Sequence, residues 1–223
     1  MLLPVVFKND EFVLLDKPAG LNFHSEQQPG LVVLAERQLH QALYPVHRLD
    51  KMTSGLVIMA KTDQVARQFQ QLFEQRLIEK YYLAISTHKP KKKQGWVKGD
   101  MVTSRRGSWR LTVNQTNPAV TQFISRAHRP SERFFLVKPH TGKTHQIRVA
   151  LKSLGAPIAG DGRYQTLADA KQEDRGYLHA YGLRFSLQDH DYAFVLPPSS
   201  GQRFLASYAF LEENNWLAPW AHF

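Results

Sequence analysis

Three stretches of the chain combine residue types at spacings that could do chemistry. Gly142-Lys143-Thr144 has the end of a phosphate-cradling loop, but the glycine that should open that loop falls at Val137, so the reading fails. Ser86-Thr87-His88-Lys89 has the Ser-x-x-Lys spacing of acyl-transferring serine enzymes without their later motifs. His47-Arg48-Leu49-Asp50 shares its letters with a kinase catalytic loop, yet no glycine-rich nucleotide loop precedes it. What remains is the run from His47 to Leu56, whose carboxylate is Asp50, a group that can serve by covalent catalysis. The histidines include no His-Glu-x-x-His pair and the chain has no cysteine. Thiolate catalysis and Cys-based zinc sites are therefore excluded, and no metal is expected.

The elements that must position these residues follow from periodicity. Residues 5–16 form two apolar runs around Lys8-Asn9-Asp10, a hairpin-like start that turns at Lys17-Pro18-Ala19-Gly20. Leu31, Leu34, Ala35, Leu39 and Ala42 recur at helical spacing over 30–42. The apolar run from Leu56 to Ala60 reads as a buried strand, and Thr62 can cap a helix with Val65, Phe69, Leu72 and Phe73 on one face. Tyr81–Ile85 and Phe134–Lys138 are strand-like, a helix runs from about Lys143 to Leu154, 165–176 is a polar loop, and Tyr177–Phe185 returns to strand character. Between them Lys89 to Arg110 is strongly basic and broken by Pro90, Gly95, Gly99 and Gly107, which predicts an exposed loop or irregular hairpin. The interleaved Trp96 and Trp109 lean that segment toward a surface that meets bases as well as phosphates.

The chain has 223 residues, enough for one domain to bury a core, and a net charge of +10, a field that favours a polyanionic partner. Nucleic acid is the leading partner. A membrane-surface role lacks an amphipathic helix with a cationic face. The N-terminal run meets acid at Asp10, Glu11 and Asp16, so secretion and membrane insertion are not expected, and the absence of cysteine fits the reducing cytoplasm.

His47-Arg48-Leu49-Asp50, two further residues, Thr53-Ser54-Gly55-Leu56 and then Ala60-Lys61 resemble the signature of the RluA-type pseudouridine synthases at every fixed place. Three more segments agree in identity and order. Leu15-Asp16-Lys17-Pro18-Ala19-Gly20-Leu21 is similar to the family's N-terminal segment, and Lys80-Tyr81-Tyr82-Leu83-Ala84 to its Lys-x-Tyr-x-Ala motif. Thr141 to Arg148, with Gly155, Pro157, Ile158, Gly160, Asp161 and Tyr164, resembles its third motif. The likeness covers about residues 12–185; Ala150 and Lys143 stand where the family usually has histidine and arginine.

The resemblance implies an α+β fold, a single domain over 1–223 with a mixed, largely antiparallel sheet and flanking helices; no S4-type RNA-binding domain is expected before the catalytic segment, so RNA affinity is expected from the catalytic domain and its loops. It implies that uridine in ribosomal or transfer RNA is isomerised to pseudouridine by a monomer, without a cofactor, since the reaction is redox-neutral and loses no group. Asp50 takes the role of nucleophile, Arg148 that of its bidentate partner, and Tyr82 that of a ring stacking on the flipped uracil. Arg48 is expected to fill the vacated place in the RNA, and Lys91, Lys92, Lys93, Lys143, His145 and Gln146 to bind RNA. His47, Thr53, Ser54 and Gly55 are expected to shape the turn, with the hydroxyls bonding local backbone. The alternative is a noncatalytic RNA-binding or ribosome-assembly protein on the same scaffold, for which an intact Asp50, Tyr82 and Arg148 set would have no use.

Overall fold

The computed structural model describes residues 2–205 and 207–223; Met1 and Ala206 lie outside the described residues. In chain order the elements are β1 (Val5–Lys8), β2 (Phe12–Lys17), α1 (Leu31–Leu39), β3 (Tyr44–Pro45), β4 (Ser54–Ala60), α2 (Asp63–Glu74) and β5 (Glu79–Ser86). Then follow β6 (Gln94–Gly99), β7 (Met101–Thr103), β8 (Trp109–Leu111), β9 (Ala119–Arg129), β10 (Glu132–Pro139) and α3 (Gln146–Ser153). The last are α4 (Leu167–Ala170), β11 (Leu178–Leu187), β12 (His190–Val195), α5 (Gln202–Leu205) and α6 (Tyr208–Glu213). The fold is α+β with a mixed sheet, as expected: β11 runs parallel to β4, and the other pairings described below are antiparallel. The chain divides into two compact units, one holding the chain to Glu79 together with His179–Leu196, the other Lys80–Leu178 and Pro197–Phe223.

In the first unit β2 and β4 are apolar because both faces are covered, and all seven residues of β4 are buried. β1 and β2 form the expected hairpin, and β2 pairs with β4 from Phe12↔Ala60 to Lys17↔Gly55. α2 starts where Thr62 Oγ1 accepts the N–H of Val65 at 3.2 Å, and Asp63 adds a negative charge to its first turn. Its stripe brings Phe69 edge-on to Phe12 and Phe185, at 5.5 Å from each, in a cluster that Phe7, Tyr192 and Phe194 extend. Gly55 holds β4 against β11: its φ is +104°, and a Cβ there would lie 2.3 Å from the carbonyl oxygen of Ala180.

In the second unit β5, β10, β9 and β6 pair in that order. Their pleat defines two faces. Tyr82, Val137, Phe123 and Gly95 are in register on one face, and Tyr81, Lys138, Gln122 and Trp96 fall on the other. α3 packs on the first face, where Gln146 Nε2 donates to Thr121 Oγ1 at 3.0 Å. The chain after residue 197, which carries no motif, covers part of the second: Phe204 and Phe210 pack on Phe134, and Trp220 and Phe223 on Tyr81. Arg203 fastens this segment, with Nε and Nη2 on Glu173 and Nη1 on the buried Glu132.

Three expectations change in this unit. The basic stretch is strand rather than loop: β6 pairs with β9 from Gln94↔Ile124 to Gly99↔Ala119, and β7 with β8 form the hairpin alternative. Glycines that forbid a helix are compatible with β6, since Gly99 lies where a Cβ would meet Thr112 O at 2.3 Å. α3 begins at Gln146, three residues late, because His145 is left-handed at φ +58°. The polar stretch 165–176 contains α4, capped by Thr166 Oγ1.

Gly55→Ala places a methyl group against backbone that cannot swing aside and forces a positive φ on an L residue. We expect it to lower the unfolding free energy by about 3 kcal/mol, read from the urea midpoint; a loss below about 1 kcal/mol would show that β4 and β11 can separate without cost.

Candidate active site

Asp50 opens a tight turn. Its carbonyl accepts the N–H of Thr53 at 3.0 Å, and the turn hands the chain directly into β4. The turn is held from the last residue of β2 and the segment that follows it. The Lys51 carbonyl accepts the N–H of Gly20 at 2.8 Å, and the Lys17 ammonium, fully buried, donates to Thr53 O at 2.7 Å, Pro18 O at 3.0 Å and Lys51 O at 3.2 Å. An ammonium suits this place because it carries three donors on a flexible stem, one for each carbonyl. The side chain of Asp50 is half-buried and that of Arg48 exposed.

The residues around the turn are structural, with one correction. His47 Nε2 accepts the N–H of Ile58 at 2.9 Å, so its ring caps a backbone donor of β4. The Ser54 hydroxyl, expected to bond local backbone, instead meets Nδ1 of His179 at 2.7 Å, 125 residues away in sequence. His179 Nε2 lies 2.8 Å from the carbonyl of Leu196. A carbonyl can only accept, so Nε2 carries the proton and Nδ1 accepts from Ser54.

In the second unit Arg148 projects from α3 and is buried. Its Nε and Nη2 bind the two carboxylate oxygens of Asp161 at 2.7 and 2.8 Å, and Asp161 is itself 1% exposed. This bidentate bond neutralises the guanidinium inside the protein, which a buried arginine requires. Asp161 belongs to the third motif, and its residue type alone indicates no partner. With Nε and Nη2 turned to Asp161, a bidentate grip on any other carboxylate must use the opposite edge of the guanidinium. Tyr164 completes the setting: its ring lies 5.0 Å from Arg148 Cζ, and its hydroxyl accepts the N–H of Trp109 at 2.9 Å and meets His145 Nδ1 at 2.9 Å. Burial pushes the pKa of this hydroxyl up, so it stays protonated at neutral pH. The β7–β8 hairpin is thereby tied to the residue that stacks on Arg148.

Tyr82 is half-buried on the sheet face that α3 shares, while Tyr81 is fully buried on the other. Residues 11–153 match the RNA pseudouridylate synthase family. The chain belongs to that family. Its members are isomerases that convert uridine in RNA to pseudouridine. It is 45% identical over 204 residues to a Haemophilus influenzae protein named "Uncharacterized RNA pseudouridine synthase", across 91% of this chain and 90% of that one. It is 30% identical to "Ribosomal large subunit pseudouridine synthase C" of Haemophilus ducreyi, across 81% of this chain and 60% of that protein. The solved structure titled "Human RNA Pseudouridylate Synthase Domain Containing 4" superposes with a TM-score of 0.75 at 27% identity, covering 93% of this chain and 92% of that one. The resemblance read from the sequence motifs is thus confirmed at the level of family and fold.

The residues expected to bind RNA separate by exposure. Lys91, Lys92 and Lys93 are exposed; Lys143 is half-buried with Nζ 2.8 Å from Asn117 Oδ1. Gln146 is corrected to a structural role. It is 5% exposed; Nε2 donates to Val120 O and Thr121 Oγ1, while Oε1 accepts from Lys143 N and the Thr141 hydroxyl. All four of its hydrogen-bonding positions are used inside the protein. It replaces the missing first turn of α3 and pins that helix to β9. In this family member the residues that sequence reasoning missed are Lys17, Asp161, Tyr164 and His179. Each was visible only as a motif letter or as part of a strand.

Replacing Lys17 by Met keeps the apolar stem and removes the three donors, so that Thr53 O loses the ammonium and Lys51 O keeps only the Gly20 N–H. We expect a loss of about 3 kcal/mol in unfolding free energy, measured in urea; a loss under about 1 kcal/mol would show that the turn holds without the ammonium.

Proposed function

We propose that the protein isomerises uridine to pseudouridine in structured ribosomal or transfer RNA, with Asp50 as the nucleophile. The observation that carries the reading is the turn from Asp50 to Thr53, braced by a buried ammonium in a chain of the pseudouridylate synthase family. A nucleophile needs a rigid mounting more than it needs flexibility, because a displacement of about 1 Å costs rate steeply. The reaction breaks the bond from C1′ to N1, turns the uracil, joins C1′ to C5, releases the C5 proton to solvent and takes up one proton at N1, so that no atom is gained or lost. It neither oxidises nor reduces, so the chain's own residues suffice for it. The relative named for the large ribosomal subunit supports ribosomal RNA as the first substrate to test.

The other roles follow from residue chemistry. Arg148, already neutralised on one edge by Asp161, offers a fixed cation for the nucleophile. Tyr82 stands half-exposed on the α3 face and can stack on uracil with its hydroxyl near the reacting atoms. Arg48, exposed two residues before Asp50, carries a planar head suited to stacking where the flipped base has left. Lys91, Lys92 and Lys93 are exposed cations of the kind that phosphates meet, and Lys143 and His145 adjoin the start of α3.

Two experiments test this. Asp50→Asn should abolish tritium release from C5-labelled uridine in ribosomal RNA while keeping fold and RNA affinity, and Tyr82→Phe should slow release at near-normal affinity. Turnover by Asp50→Asn at the wild-type rate would sink the nucleophile assignment, and a wild-type protein that binds RNA without turnover would favour the noncatalytic reading. Replacing Lys91, Lys92 and Lys93 together by Ala should weaken RNA binding and reduce the slope of log affinity against log salt by about 0.7 to 0.9 per lost phosphate contact; an unchanged slope would make these lysines a solvated face.

A further inference from the structure

We propose that the outer face of β6 carries a separate stacking platform for one unpaired RNA nucleotide, centred on Trp96. The proposal rests on the reading that the protein binds RNA and adds where a second contact is made. Trp96 is 47% exposed, a large aromatic left in water on the last strand of the sheet in its unit. Two other tryptophans differ: Trp216 is buried against Phe210, and Trp109 is half-buried with its backbone tied to Tyr164. Exposure of one aromatic is ordinary by itself; what sets this indole apart is how its ring is held and what charge stands beside it.

The ring is held in place before any ligand arrives. His140 lies against it with centroids 4.8 Å apart and planes 31° apart. The His140 Nε2 is in turn 3.1 Å from Oε1 of Gln122, the residue directly across the ladder from Trp96. An aromatic surface buttressed in this way loses little conformational freedom when a base stacks on it. Lys98 Nζ lies over the indole ring, 5.0 Å from its centroid, where a flexible exposed stem can swing aside for a base, and Lys91, Lys92 and Lys93 are exposed immediately before β6. The segment leading in is anchored, because Ser125 donates both its N–H and its hydroxyl to Lys93 O, at 2.7 and 2.8 Å. An indole with one lysine on its strand and three exposed just before it combines what single-stranded nucleic acid uses, base on ring and phosphate on ammonium.

The pleat separates this platform from the chemistry. Tyr82 is in register with Val137, Phe123 and Gly95, so Trp96, one residue further along β6, points to the opposite face with Gln122, Lys138 and Tyr81. A nucleotide on Trp96 is therefore a different one from any that stacks on Tyr82, and the RNA reaches it by passing around the β6 edge. Trp96 then sets affinity and choice of RNA without touching the reacting atoms. An unpaired nucleotide is the occupant that fits, since a base within a duplex keeps its faces stacked on its neighbours.

The test uses the full chain, with labelled oligouridylate and a matched RNA duplex as binding probes and tritium release from saturating ribosomal RNA as the activity. Trp96→Ala should raise Kd for oligouridylate roughly tenfold, leave duplex binding and saturated turnover unchanged, and keep the wild-type unfolding midpoint. Trp96→Phe, which keeps a smaller stacking face, should fall between. Wild-type affinity of Trp96→Ala for oligouridylate, with normal turnover, would overturn the platform and leave the RNA reading intact. Equal losses on oligouridylate and duplex, or a lower saturated rate, would also overturn it, because the ring would then serve the scaffold or the chemistry. A wild-type protein that neither binds RNA nor releases tritium would overturn the RNA reading itself.

Discussion

The ammonium of Lys17 is the constraint on which the geometry around Asp50 depends. It is removed from water, which costs several kcal/mol for a bare cation, and three backbone carbonyls restore what hydration supplied. Two of those carbonyls belong to the turn that Asp50 begins. Backbone groups in a turn have no ladder to satisfy them, so a side chain from another strand must do so. The result is a carboxylate mounted on a turn that is fixed at both ends, by Lys17 and Gly20 on one side and by β4 on the other. The closeness of Gly55 to Ala180 and the bond between Ser54 and His179 then lock the first residues of β4 to β11.

The second unit solves a similar problem with the opposite charge arrangement. Arg148 is buried, and Asp161 neutralises it through two parallel hydrogen bonds that also fix the plane of the guanidinium. Tyr164 covers that plane and carries a hydroxyl bonded to both Trp109 and His145. A movement of the basic β7–β8 hairpin would therefore be felt at the ring lying on Arg148. The left-handed His145 shortens α3, and the side chain of Gln146 supplies the bonds that a regular first turn would have made.

The two faces of the β5–β10–β9–β6 sheet divide the work of the second unit. One face bears Tyr82 and α3. The other is covered in part by Phe204, Phe210, Trp220 and Phe223 and ends at the exposed Trp96. Alternation along β5 decides which of two adjacent tyrosines is a core residue and which stays available.

Much of this was legible in the sequence because it depends on local pattern. The hairpin of β1 and β2, the buried β4, the capped α2 and the helix carrying Arg148 follow from period and capping, and the motif letters around Asp50, Tyr82 and Arg148 carried the family. Burial of Tyr81 rather than Tyr82 follows from strand alternation. What the tertiary structure decided are the partners. Nothing local tells that Ser54 bonds a histidine 125 residues on, that Asp161 rather than another acid holds Nε and Nη2 of Arg148, or that Gln146 faces inward. The basic segment, expected as loop or irregular hairpin, is a hairpin in β7–β8 but a sheet strand in β6, because glycines and charges disfavour a helix whereas pairing with β9 is a property of the partner strand. Residue type sets which bonds a side chain can make, whereas the partner it finds depends on which distant segments the fold brings within hydrogen-bonding reach.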